Sequence, residues 1–149
     1  MESDVRPQTL GYAVLRLAIG ISMLIHGVVR FPKIPTFAAQ TVKMFAGSPL
    51  PPAVVGAFAR LTPFVEFAIG LSVILGLATK SGLTLGGLWM VLLIFGSTLI
   101  EKYDIVGIQL LYSLVFFHLL IHHEHNAFSL DALILPLRSR RGIGRSKLN

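Results

Sequence analysis

The chain has 149 residues, of which 54% are hydrophobic and 13% are charged, and its mean hydropathy is +0.75. Soluble domains carry about 25% charged residues, so this composition excludes an ordinary water-soluble globular protein. The absence of cysteine excludes disulfides, thiolate metal sites and c-type haem attachment. The net charge of +6 does not predict nucleic-acid binding, because much of it lies in a terminal cluster beside apolar segments: Arg138, Arg140, Arg141, Arg145 and Lys147.

Four apolar segments are long enough to cross a membrane as helices. They run over residues 10–31, 54–78, 83–100 and 105–122. Short polar connections at 80–82 and 101–104 predict tight hairpins, and therefore an up-down-up-down order of the helices. The predicted fold is an all-α integral membrane four-helix bundle.

The connection between the first and second spans is longer and rich in proline. Within it, residues 36–46 predict a short interfacial helix that lies flat on the membrane. After the fourth span, Ser129-Leu130-Asp131 predicts a cap for a short apolar turn at 132–135. We expect one transmembrane domain over residues 1–137, followed by a basic, flexible cytoplasmic tail over 138–149.

The first span is predicted to be an uncleaved anchor, because Arg16 interrupts it and no small-x-small cleavage site follows. Four spans place both termini on one side of the membrane. That side carries seven Lys and Arg residues, against five on the other, so the bias favours cytoplasmic termini in a cell membrane.

Polar residues within the spans are costly and therefore mark candidate sites. In the first span, spacings of four and three place five residues on one stripe that is expected to face the bundle interior: Arg16, Gly20, Met23, Gly27 and Arg30. Snorkelling to lipid headgroups is the alternative for both arginines. Glu66 in the second span cannot snorkel far, and His26 or Arg30 is its predicted partner.

Depth along the spans predicts two polar layers. The layer in the non-cytoplasmic half is a candidate ligand site and contains His26, Arg30, Glu66 and Gln109. The layer in the cytoplasmic half contains Arg16, His118 and His122. Helical geometry places the two histidines opposite the face that carries Gln109, so at most one of these faces looks fully into the bundle.

Histidines near the end of the fourth span raise the question of a metal or haem site. Two histidines on one face of a helix cannot flank one iron axially, and Glu124 is available only at the membrane edge, so we predict no metal and no haem. In the third span, Gly82, Gly86 and Gly87 predict close helix packing, within the bundle or with a partner helix.

The pattern resembles the DoxX/DoxD-like family of small four-helix membrane proteins. The matching residues are Leu15 to Gly20, His26-Gly27 with Arg30, Glu66 with Gly70-Leu71, Leu75 to Lys80, and Ser129 to Asp131. The usual Lys after the His-Gly element is here replaced by Arg30 or displaced to Lys33. The resemblance implies a membrane subunit of a quinone-linked oxidoreductase, of which thiosulfate:quinone oxidoreductase is the best known, while distant relatives imply an assembly role.

Two functions follow as hypotheses. In the first, the chain binds a quinone headgroup in the non-cytoplasmic layer and anchors a redox partner, using His26, Arg30 or Gln109 as donors and Glu66 as a proton relay. No flavin, iron–sulfur or nucleotide motif is present, so catalysis needs another subunit. In the second, the chain is a non-catalytic accessory or assembly subunit of a larger membrane complex, and its buried polar residues only lock the bundle together.

Overall fold

The computed structural model describes residues 7–134, and over that range it contains helices and no strand. Its five α-helices are α1 (Pro7–Arg30), α2 (Ile34–Met44), α3 (Pro52–Leu75), α4 (Thr79–Leu99) and α5 (Tyr103–Ile121). A 3-10 turn over Phe31–Lys33 joins α1 to α2, and a second over His123–His125 follows α5. The all-α prediction is confirmed. The predicted basic tail and the last residue of the predicted turn at 132–135 lie outside the described residues.

The four long helices coincide with the predicted spans and have the length and apolar composition needed to cross a membrane. At 1.5 Å per residue, α1 is about 36 Å long and α5 about 29 Å, which matches a hydrocarbon core of about 30 Å. Leu88, Leu111 and Leu114 expose 59%, 64% and 60% of their surface on the outside of the bundle. Continuous apolar exposure of this kind requires lipid, so the chain is a multi-pass membrane protein.

Glycines bring α1 and α3 into backbone contact. A Cβ placed at Gly70 of α3 would lie 2.7 Å from the Cα of Leu24 and 2.8 Å from the carbonyl oxygen of Gly20 on α1. Gly27 likewise lies directly against Pro63 and Phe67. The predicted interior stripe of α1 is confirmed, because its members from Arg16 to Gly27 are buried.

The glycines of α4 serve contacts inside the bundle. Gly82 lies against the Ser72 hydroxyl of α3, and Gly86 lies against the Phe116 ring of α5. Of the two interpretations that the sequence left open for these glycines, packing within the bundle is the one observed.

The predicted connecting helix is present as α2, shifted two residues toward the N-terminus. It packs on α3, where Val42 faces Gly56, and it extends to α4, where the Phe45 ring lies 3.3 Å from the position of a Cβ on Gly96. Thus α2 lies against α3 near its start, and the residue that follows α2 reaches α4 near its end. Its flat orientation on the membrane and the alternating direction of the spans across it stay predictions.

Candidate functional site

Arg30 and Glu66 form an ion pair between the last residue of α1 and the middle of α3. The Glu66 side chain is 6% exposed and the Arg30 side chain is 25% exposed, so the carboxylate is the more deeply buried partner. The Arg30 guanidinium also lies over the Phe37 ring of α2, with its Cζ 4.9 Å from the ring centroid. A cation–π contact and an ion pair therefore fix the same guanidinium from two helices.

A cavity of about 470 Å³ opens next to this ion pair. Apolar side chains make most of its wall. They come from α2 and the residue after it, and from the parts of α3, α4 and α5 that lie near Arg30: Phe37, Met44, Phe45, Val54, Phe58, Leu92, Leu93, Phe95 and Ile105. Its polar lining includes Arg30, Glu66, Thr62 and Gln109. Val54 and Phe95 are more than half exposed on the outside of the bundle, so the cavity reaches the surface that faces lipid.

A smaller cavity of about 170 Å³ adjoins the first. The two share Arg30, Glu66 and Gln109, and the smaller one is also lined by His26 and Tyr112. The structure therefore brings all four residues of the predicted ligand layer around one small space. We call the two cavities together the Arg30 cavity.

Gln109 lines both parts of the Arg30 cavity. Its amide nitrogen donates to the Ser97 hydroxyl at 3.0 Å, which ties α5 to the end of α4. Its amide oxygen is buried and has no hydrogen-bond partner within the described part of the chain. A buried amide oxygen without a donor is costly, so the Gln109 amide oxygen is an unsatisfied acceptor beside the cavity.

His26 lies at the rim of the Arg30 cavity and is largely exposed. Its ring stacks with the Tyr112 ring of α5, with centroids 6.4 Å apart and an interplanar angle of 14°. The Tyr112 hydroxyl is hydrogen-bonded to Ser22, one turn before His26 on α1. The aromatic pair therefore bridges α1 and α5 where the smaller cavity meets the surface.

In the second predicted layer, Arg16 is buried as expected, but its hydrogen-bond partners are not the two histidines that were grouped with it. Arg16 is 3% exposed and donates to the Asn126 side chain at 3.3 Å and to the Phe128 carbonyl at 2.5 Å. These partners come from the segment after α5, and no hydrogen bond joins Arg16 to His118 or His122. His118 is exposed because it lies on the outer face of α5.

The segment after α5 closes the Arg16 end of the bundle. Asn126 is buried and donates from its amide nitrogen to the Thr79 hydroxyl at 3.1 Å. Gly76 ends α3 in the left-handed conformation, at a φ of 63°, and a side chain there would overlap both the Arg16 guanidinium and Ser129. We call Arg16, Gly76, Thr79 and Asn126 the Arg16 network.

Asp131 caps a helix that is distant in the chain. Its carboxylate oxygens accept hydrogen bonds from the backbone N–H groups of Ala78 and Thr79, at 2.8 and 2.7 Å, where α4 begins. Partial burial acts to raise the pKa of this carboxyl, but the hydrogen bonds from Thr79 and Ala78 outweigh it and leave the pKa below its usual value. Ser129 caps the turn after it by accepting from the Ala132 N–H at 3.2 Å, so only the serine does what the sequence predicted.

Four histidines and Glu124 surround the end of α5. The His118 and His122 rings lie 4.6 Å apart between centroids. Glu124 approaches His122 and His125, and a hydrogen bond from its own backbone, followed by the contacts with the two histidines, lowers the pKa of its carboxyl. His123 is not part of the group formed by Glu124 with His122 and His125. Its Nε2 atom is buried without a hydrogen-bond partner among the described residues.

Neither Asn126 nor Thr79 was predicted as a site residue, although Thr79 lies within the matching stretch Leu75 to Lys80. The available signal was weak: one asparagine after a run of histidines and one threonine in a short connection. Both matter because they join Arg16 to the start of α4, which only the packing of distant segments reveals.

Four apolar helices around a cavity with a buried ion pair define a small polytopic membrane protein with an internal cavity. The family model DoxX matches residues 11–100, more than half of the chain, so the protein belongs to the DoxX family. No match is found among curated proteins or among solved structures. The matched region holds Arg16, His26, Arg30 and Glu66, whereas Gln109 lies beyond it.

Proposed function

We propose that the Arg30 cavity binds a quinone and that the chain is the membrane subunit of a quinone-linked oxidoreductase. The observation that carries this proposal is the shape and lining of the cavity: a mainly apolar space that ends at Arg30, Glu66 and Gln109. Ligand sites commonly have volumes of about 300–1,000 Å³ and a few convergent polar groups. Some members of the DoxX family are linked to quinone oxidoreductases, which supports the same class.

The apolar part of the cavity suits an isoprenoid tail. Phe58 and Leu93 form its inner wall, while Val54 and Phe95 reach the lipid-facing surface. A tail that enters between α3 and α4 would stay in hydrocarbon along its whole length, so its burial costs no desolvation of polar groups.

The polar part suits a headgroup that changes its hydrogen bonding with its redox state. A quinone carbonyl accepts hydrogen bonds, whereas a quinol hydroxyl donates one. The free Gln109 amide oxygen would accept from a quinol. With the amide turned over, its nitrogen would donate to a quinone carbonyl while its oxygen accepts from the rotatable Ser97 hydroxyl.

The ion pair provides charge and a proton site beside the headgroup. Reduction of a quinone takes up two electrons and two protons, and oxidation of the quinol releases them. Arg30 would stabilise negative charge on a headgroup oxygen, while Glu66 and His26 line the smaller cavity as groups that exchange protons. The electrons are exchanged with a partner subunit that carries a flavin or an iron–sulfur cluster, because this chain has no motif for either.

The single tryptophan offers a direct binding assay. Trp89 stacks on Phe58, with ring centroids 4.9 Å apart, and Phe58 lines the cavity. Full-length protein in lipid nanodiscs is titrated with short-chain ubiquinone and menaquinone analogues while Trp89 fluorescence is recorded. We expect saturable quenching, because a quinone bound in the cavity would lie next to the Phe58–Trp89 stack.

Two matched pairs of variants locate the site. Gln109→Leu removes the cavity amide, and Gln40→Leu makes the same change on the exposed surface of α2. Leu93→Phe adds volume where the two cavities meet, and Val91→Phe adds it on the outer face of α4. Weaker binding in the cavity variants with unchanged binding in their controls supports the proposal.

The alternative is a non-catalytic accessory or assembly subunit. Wild-type protein that gives only linear, non-saturable quenching with both quinone classes contradicts quinone binding. If Glu66→Gln then folds normally but no longer co-purifies with the proteins that accompany the wild type in its native membrane, the accessory role is favoured.

A further inference from the structure

The turn after α5 brings three metal-ligand side chains together. His122 ends α5, and the 3-10 turn that follows places Glu124 and His125 next to it. A carboxylate oxygen of Glu124 lies 3.4 Å from Nδ1 of His122 and 3.6 Å from Nε2 of His125. The three ligand atoms all lie within 4.8 Å of one another. We call these three residues the α5 triad.

These separations fit a small cation. Zinc bonds of about 2.0–2.1 Å in a tetrahedral arrangement place neighbouring ligand atoms roughly 3.3–3.4 Å apart. Two of the three pairs in the α5 triad are therefore already close to that spacing. The side chains are partly exposed, at 43% for His122, 61% for Glu124 and 30% for His125, so small rotations can close the third pair without repacking the bundle.

The donor set indicates the class of cation. Two imidazoles and one carboxylate bind zinc and similar first-row ions and leave a fourth position for water or another ligand. The sequence predicted no metal site, because Glu124 lies after the last span, at the membrane edge. The 3-10 turn changes this, because it places the carboxylate between the two rings.

We propose that His122, Glu124 and His125 bind one divalent first-row transition-metal ion of the zinc class at the end of α5. The next residue, Asn126, bonds to Arg16 and Thr79. A bound ion would therefore pin the turn that leads into the Arg16 network and would stabilise this end of the bundle. The site lies at the opposite end from the Arg30 cavity, so the proposal is independent of quinone binding.

The test uses the full-length protein in lipid nanodiscs, purified without a polyhistidine tag and stripped with a chelator. Zn²⁺ is titrated in competition with a chromophoric chelator, and Co²⁺ is added separately to record its visible absorption. We expect one ion per chain, a Co²⁺ spectrum of low coordination number, and a higher unfolding temperature with Zn²⁺.

Glu124→Gln and His125→Gln should each lower the Zn²⁺ affinity by at least about tenfold, since even the loss of an outer-shell partner costs that much. Both side chains are partly exposed, so both variants should fold. His123→Gln is the matched control, because His123 is in the same turn and outside the α5 triad; its affinity should equal that of the wild type.

Three results would overturn the proposal: no stoichiometric binding by the wild type, wild-type affinity in Glu124→Gln, or equal losses in the triad variants and the control. A rise in unfolding temperature with Zn²⁺ that persists in Glu124→Gln would also contradict it.

Discussion

The Arg30–Glu66 ion pair should respond asymmetrically to the loss of either partner. In Arg30→Met, the Glu66 carboxylate, only 6% exposed, keeps its burial and loses its counter-charge, and we expect a cost of about 3–5 kcal/mol in the free energy of unfolding. In Glu66→Gln, the guanidinium is 25% exposed and still contacts the Phe37 ring, so a cost of about 1–3 kcal/mol is expected.

The double variant measures the coupling between the two side chains. Without either charge, the site no longer holds an unpaired buried ion, so Arg30→Met with Glu66→Gln should be more stable than Arg30→Met alone. The interaction energy must therefore exceed the cost of Glu66→Gln alone, and we expect about 3 kcal/mol, at the upper end of values for residues in direct contact.

Reversible unfolding in mixed micelles, with a denaturing detergent titrated against a mild one, provides the free energies. Far-UV circular dichroism and Trp89 fluorescence give two probes of the same transition. Arg60→Met removes an exposed cation from α3 and should change stability by less than about 0.5 kcal/mol. A larger loss of stability in Glu66→Gln than in Arg30→Met, or a double variant whose loss equals the sum of the two single losses, would contradict this expectation.

Three further predictions concern packing, helix propensity and capping. Gly70→Ala should loosen the α1–α3 contact and lower the unfolding temperature, because its Cβ would meet the Leu24 backbone. Gly107→Ala, on a helix surface with nothing within 4 Å of the new Cβ, should instead raise stability by about 0.5–1 kcal/mol, and thermal unfolding of the pair tests both signs. Asp131→Ala should cost about 1 kcal/mol at neutral pH by removing the cap of α4. Since the folded pKa of Asp131 is lowered, its contribution is present above the unfolded value of about 3.9 and is lost as pH falls below it, so a variant that keeps the full wild-type acid dependence would contradict this account.

Much of the bundle could be predicted from the sequence. The four spans, the connecting helix and the buried stripe of α1 follow from hydropathy and helical periodicity, which depend only on neighbouring residues. The choice between His26 and Arg30 as the partner of Glu66 could not be made in this way, because both lie near the same depth. The ion pair with Arg30 depends on the register of α1 against α3, which the contact at Gly70 sets.

The Arg16 end of the bundle shows more clearly which contacts could not be predicted from the sequence. Helical periodicity predicted a buried Arg16, and depth along the spans grouped it with His118 and His122, whereas its hydrogen-bond partners are Asn126 and the Phe128 carbonyl. Those partners belong to an irregular segment, and helical periodicity cannot predict which way the side chains of such a segment point. Glu124 was likewise judged from its distance along the chain, and its position between two imidazole rings results from a single 3-10 turn.

The sequence by itself thus determined that the chain is a membrane protein, which segments are long and apolar enough to cross the membrane, and which polar side chains within them need hydrogen-bond or ion-pair partners. Only the tertiary structure decided which residues those partners are. It also decided that α2 lies over the Arg30 cavity and that the segment after α5 covers the Arg16 end of the bundle. The physical reason is that burial in lipid is a property of each segment alone, while hydrogen bonds and ion pairs require distances of a few ångströms between segments. Those distances depend on how the glycine-lined helix faces dock.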